Sequence, residues 1–305
     1  MIKAEKVTKN FGDFCALKEL DCQIPKGCIY GLIGSNGAGK STFLRLITGV
    51  YRPDSGRITL EGEPIYENPQ AKAKIAYVPD ELFFLPNVSM NRMASLYRSV
   101  YPRFDSKRFK ELAENFRLNP KVSVNSFSKG MKRQAAIILA LCCKPEYIFF
   151  DETFDGLDPV MRNLVKNLII SDVLEHNATA IITSHSLREL EDTCDQLALL
   201  HQGGIVFESD VQNLKTSLFR VQVAFPFEFD QSLFEQMSLL NYSKKGSVAS
   251  FIVRGNREET QEVLKSKAPI LLDILPLSLE EVFVYEMGAL GYSFENEPQG
   301  KELSV

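Results

Sequence analysis

Histidine and cysteine are scarce in this chain, and the few that occur are not grouped as metal ligands. The sequence has 3 histidines and 6 cysteines in 305 residues. No two cysteines form a CxxC pair, and Cys142 and Cys143 lie inside an apolar run with helical character. These features argue against a histidine-rich metal centre and a disulfide framework. We therefore expect reduced cysteines that serve packing, and any metal to be held by oxygen.

Long apolar segments and an excess of positive charge are also lacking. The longest apolar run, Ala135 to Cys143, is much shorter than the ~20 residues of a membrane-spanning helix. The first residues lack the hydrophobic core of a signal peptide, so a cytoplasmic location is expected. Lys and Arg total 35 against 39 Asp and Glu, a net charge of -4. No global positive field favours nucleic acid, and no direct nucleic-acid partner is expected.

The pattern along the chain predicts an α/β protein of about two domains, at roughly 150 residues each. Residues 1–27 alternate like short antiparallel strands joined by turns. Cys28 to Ile33, Tyr147 to Phe150 and Thr179 to Thr183 are near-continuous apolar strands, typical of a parallel sheet covered on both faces. Helical spacing between residues 84 and 145 predicts a helical insertion in this first domain of residues 1–212.

A second, smaller domain is predicted after residue 212, where alternating and aromatic segments are followed by a charged helical stretch. Residues 213–290 are expected to form a small α+β module. Ser278 to Glu281 has the spacing of a capping box at the start of a last helix. The polar residues 291–305 are expected to form a flexible tail.

A glycine-rich motif directly follows the strand Cys28 to Ile33. It matches GxxxxGK[ST] at every fixed position and precedes a helical run from Lys40 to Thr48, the context of a phosphate-binding P-loop. Backbone N–H groups and the helix N-terminus would cradle phosphate oxygens, Lys40 would add a catalytic positive charge, and Ser41 would bind a metal. The alternative is a glycine-rich turn with an incidental lysine. The predicted nucleotide-binding residues are Gly34, Ser35, Asn36, Gly37, Ala38, Gly39, Lys40, Ser41 and Thr42.

Two carboxylates end the apolar strand Tyr147 to Phe150. A phosphate site needs an acid on a nearby strand to hold magnesium, and Asp151 is placed to do so through water. Glu152 faces the other way and could orient or deprotonate the attacking water. Two adjacent acids could instead cap the next helix, but the P-loop favours the catalytic interpretation.

Together these motifs resemble the nucleotide-binding subunit of ATP-binding-cassette (ABC) transporters, over about residues 1–212. The resemblance implies a P-loop NTPase fold with a parallel core sheet, an antiparallel β subdomain and a helical insertion, with ATP and Mg2+ as cofactors. It implies that Phe11 stacks on adenine, that Asp158 lies in the loop after the second acid, and that His185 senses the γ-phosphate. Ser128, Lys129 and Gly130 occupy the signature loop, usually LSGGQ, from which Lys129 and Met131 depart.

The signature segment also predicts an anion partner from its charge. Ser128 is placed to cap the following helix, yet Lys129, Lys132 and Arg133 crowd the first turns, where the helix dipole disfavours cations. The family supplies the γ-phosphate of ATP bound to a second subunit, whereas a solvated basic face is the plain alternative. A second departure is Asp80, where the family usually has a glutamine that touches Mg2+; aspartate could still bind the ion through oxygen.

The resemblance implies an ATPase subunit of an exporter. The expected partners are a second nucleotide-binding subunit, identical or different, and a separate integral membrane permease that holds the chain at the inner face of the cell membrane. The exported substrate would be an antibiotic, peptide or lipid. A soluble ABC ATPase acting on ribosomes or DNA, and a nucleotide-gated regulator with little hydrolysis, remain as alternatives. A P-loop GTPase is disfavoured because no NKxD motif occurs.

Overall fold

The computed structural model describes residues 1–289, so the predicted tail 291–305 lies outside the described residues. The chain divides into two compact units, one from Met1 to Ser209 and one that begins at Asp210. The strands are β1 (Ile2–Phe11), β2 (Phe14–Ile24), β3 (Ile29–Ile33), β4 (Ser55–Leu60), β5 (Glu63–Pro64), β6 (Ile75–Val78), β7 (Tyr147–Phe150), β8 (Thr179–Ser184), β9 (Gln196–His201), β10 (Gly204–Asp210), β11 (Leu218–Ala224), β12 (Ser238–Lys245), β13 (Val248–Arg254) and β14 (Leu271–Pro276). The helices are α1 (Lys40–Ile47), α2 (Pro69–Lys72), α3 (Met90–Val100), α4 (Ser106–Asn115), α5 (Lys129–Cys142), α6 (Pro159–His176), α7 (Leu187–Leu190), α8 (Val211–Ser217), α9 (Arg257–Ser266) and α10 (Leu279–Ala289).

The first unit is built on a six-stranded sheet with the order β10-β9-β3-β8-β7-β6. The pairs β3/β8, β7/β8, β3/β9 and β6/β7 are parallel. Every residue of β3, β7 and β8 is buried, which explains their nearly continuous apolar sequences. Because these three strands are neighbours and parallel, their carboxyl ends meet at one edge of the sheet, where ligands bind in such folds.

A second sheet of the first unit has the order β2-β1-β4-β5, and its pairs are antiparallel. Apolar residues of β1 and β2, such as Val7, Leu17 and Leu20, enter the same hydrophobic core as the parallel strands. Irregular register between β1 and β2 twists this sheet locally. The antiparallel β subdomain implied by the family resemblance is therefore present.

The interval between β6 and β7 is helical, as the spacing predicts. It contains α3, α4 and α5, and Ser128 caps α5 by accepting a hydrogen bond from the N–H of Met131 at 3.2 Å. Residues Ala135 to Cys142 of α5 are all buried, so the longest apolar run of the sequence is a core helix. Met90 and Met93 of α3 are buried as well, whereas Val100 at the end of that helix is exposed.

The second unit contains a four-stranded antiparallel sheet with the order β12-β13-β11-β14. The predicted strands near Phe219 and Ala249 are its central pair, β11 and β13. The predicted capping box forms at α10: the Ser278 N–H donates to the Glu281 carboxylate at 2.9 Å, and the Glu281 N–H donates to Ser278 Oγ at 3.3 Å. The edge strands β12 and β14 were not predicted, because partial burial leaves them a weak alternation of polar and apolar residues.

All six cysteines are free thiols, and all except Cys15 are buried. Burial raises the pKa of Cys22 to about 12 and that of Cys28 to about 11, so both stay protonated. The five buried cysteine side chains lie in the hydrophobic interior. Within residues 1–289, no helix is both long enough and apolar enough to cross a lipid bilayer.

Candidate functional site

The P-loop connects the buried strand β3 to helix α1, at the carboxyl edge of the parallel sheet. Gly39 has a φ of +111°, and a Cβ there would lie 2.8 Å from the carbonyl oxygen of Ala16, so only glycine fits. Helix α1 begins at Lys40, and no side chain among the described residues caps it. Its first backbone N–H groups are therefore open to an anion, supported by the helix dipole.

Lys40 has a buried side chain, and three oxygen contacts hold its ammonium group in position. Its Nζ donates to the carbonyl oxygens of Gly34 at 2.7 Å and Ser35 at 3.3 Å. The same Nζ lies 3.1 Å from Oε1 of Glu152. A phosphate group seated in the loop would thus meet a positive charge that is already held in position.

Asp151 is fully buried at the end of β7, and three hydroxyl groups surround its carboxylate. Oδ1 accepts hydrogen bonds from Ser41 at 3.1 Å and Thr183 at 2.8 Å, and Oδ2 accepts one from Tyr77 at 3.2 Å. Burial, with a smaller effect of the Asp151 charge, raises the pKa of Tyr77, so its phenol remains a donor. The adjacent oxygens of Ser41 and Asp151 are the hard ligands that Mg2+ prefers, so the residues fit this ion.

Glu152 links Lys40 to His185. Its Oε2 lies 3.0 Å from Nδ1 of His185, while its Oε1 contacts Lys40. Glu152 has a φ of +46°, a left-handed conformation that is costly for a side chain of this size. The hydroxyl oxygen of Thr183 accepts the Glu152 N–H at 3.0 Å and helps to hold this conformation. The carboxylate can therefore orient or accept a proton from a water beside the P-loop.

A cavity of about 270 Å3 lies beside the P-loop and gathers most of the predicted nucleotide-binding residues. Phe14 also lines it, whereas Phe11 is not among the lining residues. The Phe11 ring packs edge-on against Tyr51, with 5.6 Å between the ring centroids. Phe14 is thus the aromatic residue that lines this cavity. The lining residues are Phe14, Ala16, Ser35, Asn36, Gly37, Gly39, Lys40, Ser41, Thr42, Asp80 and Glu152.

The signature segment lies outside this cavity but close to the loop that follows Glu152. Ser128 and Lys129 are exposed at the start of α5. A Cβ on Gly130 would lie 2.9 Å from the carbonyl oxygen of Gly156, so the two backbones nearly touch. Asp158, in the same loop, caps α6 by accepting the N–H groups of Val160 and Met161, each at 3.0 Å. The signature and the loop of Asp158 thus form one surface of the chain.

The expectation that Arg133 joins an anion-binding cluster is wrong. Its side chain is only 1% exposed, and NH2 pairs with Oδ1 of Asp80 at 2.9 Å while NH1 donates to the carbonyl oxygen of Pro79 at 2.8 Å. A buried guanidinium must be paired internally, so it cannot also receive an external phosphate. Lys129 and Lys132 remain at the surface, and they line a cavity of about 510 Å3 together with Asp80 and the nearly inaccessible Arg133.

Several residues of the site were missed from the sequence. Thr183 and Tyr77 hold Asp151, and Phe14 lines the cavity; only the polar Thr183 at the end of an apolar strand gave a usable signal. Asp155 was missed as well: its carboxylate lies within 4.8 Å of the ligand atoms of Glu152 and His185. The residues that contact Asp151 and Glu152 thus include several that lie outside the P-loop and the strand-end acids recognised in the sequence.

Comparison with known proteins identifies the relatives of this arrangement. The family model described as ABC transporter matches residues 17–155. The chain is 30% identical over 288 residues to the ABC transporter ATP-binding protein YtrB of Bacillus subtilis. This match covers 94% of the chain and 98% of YtrB. It is 31% identical over 218 residues to the bacitracin transport ATP-binding protein BcrA of Bacillus licheniformis, covering 70% of this chain and 71% of BcrA.

Solved structures show the same fold. The dimeric, ADP- and Pi-bound post-hydrolysis structure of the ATP-binding cassette MJ0796 superposes with a TM-score of 0.63 at 22% identity, covering 69% of this chain and 99% of that one. The fold of the first unit is thus that of a nucleotide-binding cassette. The second unit is spanned by the sequence match to YtrB, which extends over nearly the whole chain.

Proposed function

Because this chain belongs to the ABC transporter family as an ATP-binding subunit with ATPase activity, we propose that it powers export of a substrate through a separate membrane permease. Two cassettes would close on two ATP molecules and reopen after hydrolysis. This opening and closing would drive the movement of the permease. The observation that supports this proposal most is the series of contacts from Lys40 through Glu152 to His185 beside the P-loop cavity.

Hydrolysis proceeds by in-line attack of water on the γ-phosphate, and the chain positions and neutralises rather than forming covalent bonds. Lys40 and the N–H groups at the start of α1 hold the β- and γ-phosphates. Glu152 orients the water and accepts its proton, since its carboxylate lines the cavity beside the loop and is held there by Lys40 and His185. His185 keeps that carboxylate oriented through the 3.0 Å contact, and the family resemblance implies that it would sense the γ-phosphate.

Magnesium is the expected cofactor, with Ser41 and Asp151 as the residues that hold it. When bound, the ion would neutralise charge on the β- and γ-phosphate oxygens. Thr183 and Tyr77 keep the Asp151 carboxylate in one orientation for this purpose.

Dimer formation around ATP is supported by the position of the signature residues. Ser128, Lys129 and Gly130 do not line the cavity of their own chain, so their role requires the nucleotide of a second cassette. The exposed N-terminus of α5, capped by Ser128, offers N–H groups and the charge of Lys129 to a γ-phosphate. Asp158 lies on the same surface and would meet the partner there.

The permease would dock on the helical insertion, where apolar side chains are exposed. Phe83 is 81% exposed, and Leu85, Leu96 and Val100 are exposed nearby in sequence. Phe84 is buried and is not part of this surface. Such a contact would hold the chain at the inner face of the cell membrane. The name of the bacitracin transport protein BcrA supports an antibiotic as the exported substrate.

The variant Glu152→Gln tests the proposal in the full chain. It keeps the size of the side chain but removes the base, so hydrolysis should fall by about 100-fold or more while ATP binding is retained. With ATP present, size-exclusion chromatography should show a stable dimer. Glu175→Gln is the matched control, because Glu175 is exposed on α6 and, within residues 1–289, its carboxylate accepts a hydrogen bond from Ser171 alone.

Three results would count against the proposal. A wild-type hydrolysis rate in Glu152→Gln would remove Glu152 from its role. A monomer with bound ATP in that variant would remove the sandwich dimer. Recovery of the chain with ribosomes or DNA instead of with a membrane permease would favour the soluble ABC ATPase.

A further inference from the structure

The strongest unexplained feature of the first unit is the ion pair between the buried Arg133 and the half-exposed Asp80. Arg133 belongs to α5, the helix that the signature residue Ser128 caps, and Asp80 follows β6. The guanidinium donates both to the Asp80 carboxylate and to the backbone carbonyl of Pro79. A single side chain thus fixes the segment after β6 against the first turns of the signature helix.

The burial of Arg133 makes this pairing necessary. Its side chain is the largest that is fully buried among the described residues, and its Nε has no hydrogen-bond partner there. A buried guanidinium keeps its charge, so a carboxylate is needed to neutralise it. A glutamine at position 80 could accept a hydrogen bond but could not supply that charge.

Asp80 also lies between the P-loop and the signature helix α5, because it lines a cavity beside each of them. Its half-exposed side chain lines the P-loop cavity together with Ser41 and Glu152. It lines the neighbouring cavity as well, together with Lys129 and Lys132 of the signature helix. A tilt of α5 would therefore displace Asp80 and the segment after β6, which borders the P-loop cavity.

We propose that Arg133 and Asp80 are positioning residues for hydrolysis, and that the Asp80 carboxylate serves Arg133 rather than magnesium. The pair holds the start of α5, and with it Ser128, in the orientation that a partner's ATP requires. This inference rests on the proposed function, because Ser128 acts only in the two-cassette arrangement. It explains why aspartate replaces the glutamine usual in the family.

The test compares Asp80→Asn, Arg133→Gln and the double variant in the full chain. Each single variant should lower kcat by about 10- to 100-fold, because the signature helix loses its orientation. The Mg2+ concentration for half-maximal rate and the KM for ATP should stay near the wild-type values. The double variant should be no slower than the worse single variant, since both changes break one interaction. Asp80→Glu, which keeps the charge, should recover most of the rate.

Asp172→Asn is the control for loss of a buried ion pair as such. Asp172 on α6 pairs with Arg108 on α4, is buried, and lies outside the P-loop cavity. This variant should lose thermal stability but keep kcat. If Arg133→Gln does not fold, the Mg2+ titration of Asp80→Asn still decides the question, because an unchanged half-maximal Mg2+ concentration excludes Asp80 as a metal ligand.

A several-fold higher Mg2+ requirement in Asp80→Asn but not in Arg133→Gln would overturn the inference and make Asp80 a metal ligand. Independent, additive losses in the double variant would overturn it as well, as would a wild-type kcat in both single variants. Failure of the wild-type chain to dimerise with ATP would instead contradict the proposed function.

Discussion

Replacing Thr183 by valine separates the positioning of the two acids from the general stability of the sheet. The Thr183 hydroxyl donates to Asp151 at 2.8 Å and accepts the Glu152 N–H at 3.0 Å. Valine has nearly the same shape but can do neither. The Glu152 N–H would then lose its acceptor at a residue with a left-handed backbone, and the Asp151 carboxylate would lose one donor.

The magnitude follows from these two contacts. An unsatisfied buried N–H costs about 1–3 kcal/mol, so the free energy of unfolding should fall by that amount. Catalysis should suffer more, because both acids gain freedom, and we expect kcat to fall about 10- to 100-fold. Steady-state ATP hydrolysis and urea denaturation measure the two effects separately.

Thr179→Val is the matched control. Thr179 lies at the start of the same strand, at the opposite end of β8 from the acids. It is equally buried, and its hydroxyl accepts the Gly27 N–H at 2.9 Å. Its loss of one acceptor should cost about 1–2 kcal/mol of stability and leave kcat unchanged. Equal kcat values in the two valine variants would refute the reasoning, because hydrogen bonding at Thr183 would then serve stability alone.

Two further predictions concern the cavity and the response to acid. Phe14→Ala should raise the KM for ATP about tenfold, as expected for loss of a base-stacking ring, and more than Phe11→Ala does; a larger effect of Phe11→Ala would return the adenine contact to that residue. Hydrogen bonds from Lys26 and Lys74 lower the pKa of Glu61 from 4.5 to about 2, so its stabilising contribution is complete above pH 4.5 and is lost as the pH falls toward 2. Glu61→Gln should therefore reduce stability by about 1 kcal/mol at pH 7, with a difference from wild type that shrinks below pH 4.5 in urea titrations; a difference independent of pH would contradict this assignment.

The features that depend on neighbouring residues were predicted best from the sequence. The P-loop follows β3 directly, Asp151 follows β7, and the capping box at Ser278 closes within one helical turn. In each case, the residues that form the sequence pattern are also the residues that form the local structure, within one short segment of the chain. Parallel pairing of the buried strands then brings the acids to the P-loop.

The features that were missed depend on distant residues. Asp80 and Arg133 are 53 residues apart in sequence, so their pairing and the burial of Arg133 have no local signal. Thr183 stands out as a polar residue at the end of an apolar strand, but its contacts with the acids arise only because β7 lies beside β8. Phe14 lines the P-loop cavity only because the antiparallel sheet packs into the core of the parallel one. Such contacts come from the topology and not from a motif.

The near contact between Gly130 and Gly156 has a consequence for timing in the proposed dimer. With no room for a side chain between them, a movement of the signature loop toward the loop after Glu152 would bring the two backbones into collision. A partner's nucleotide that arrives at Ser128 would press on the backbone that leads to the chain's own catalytic base. In the proposed dimer, ATP bound at one site would therefore influence the rate of hydrolysis at the other, through the backbone contact between Gly130 and Gly156.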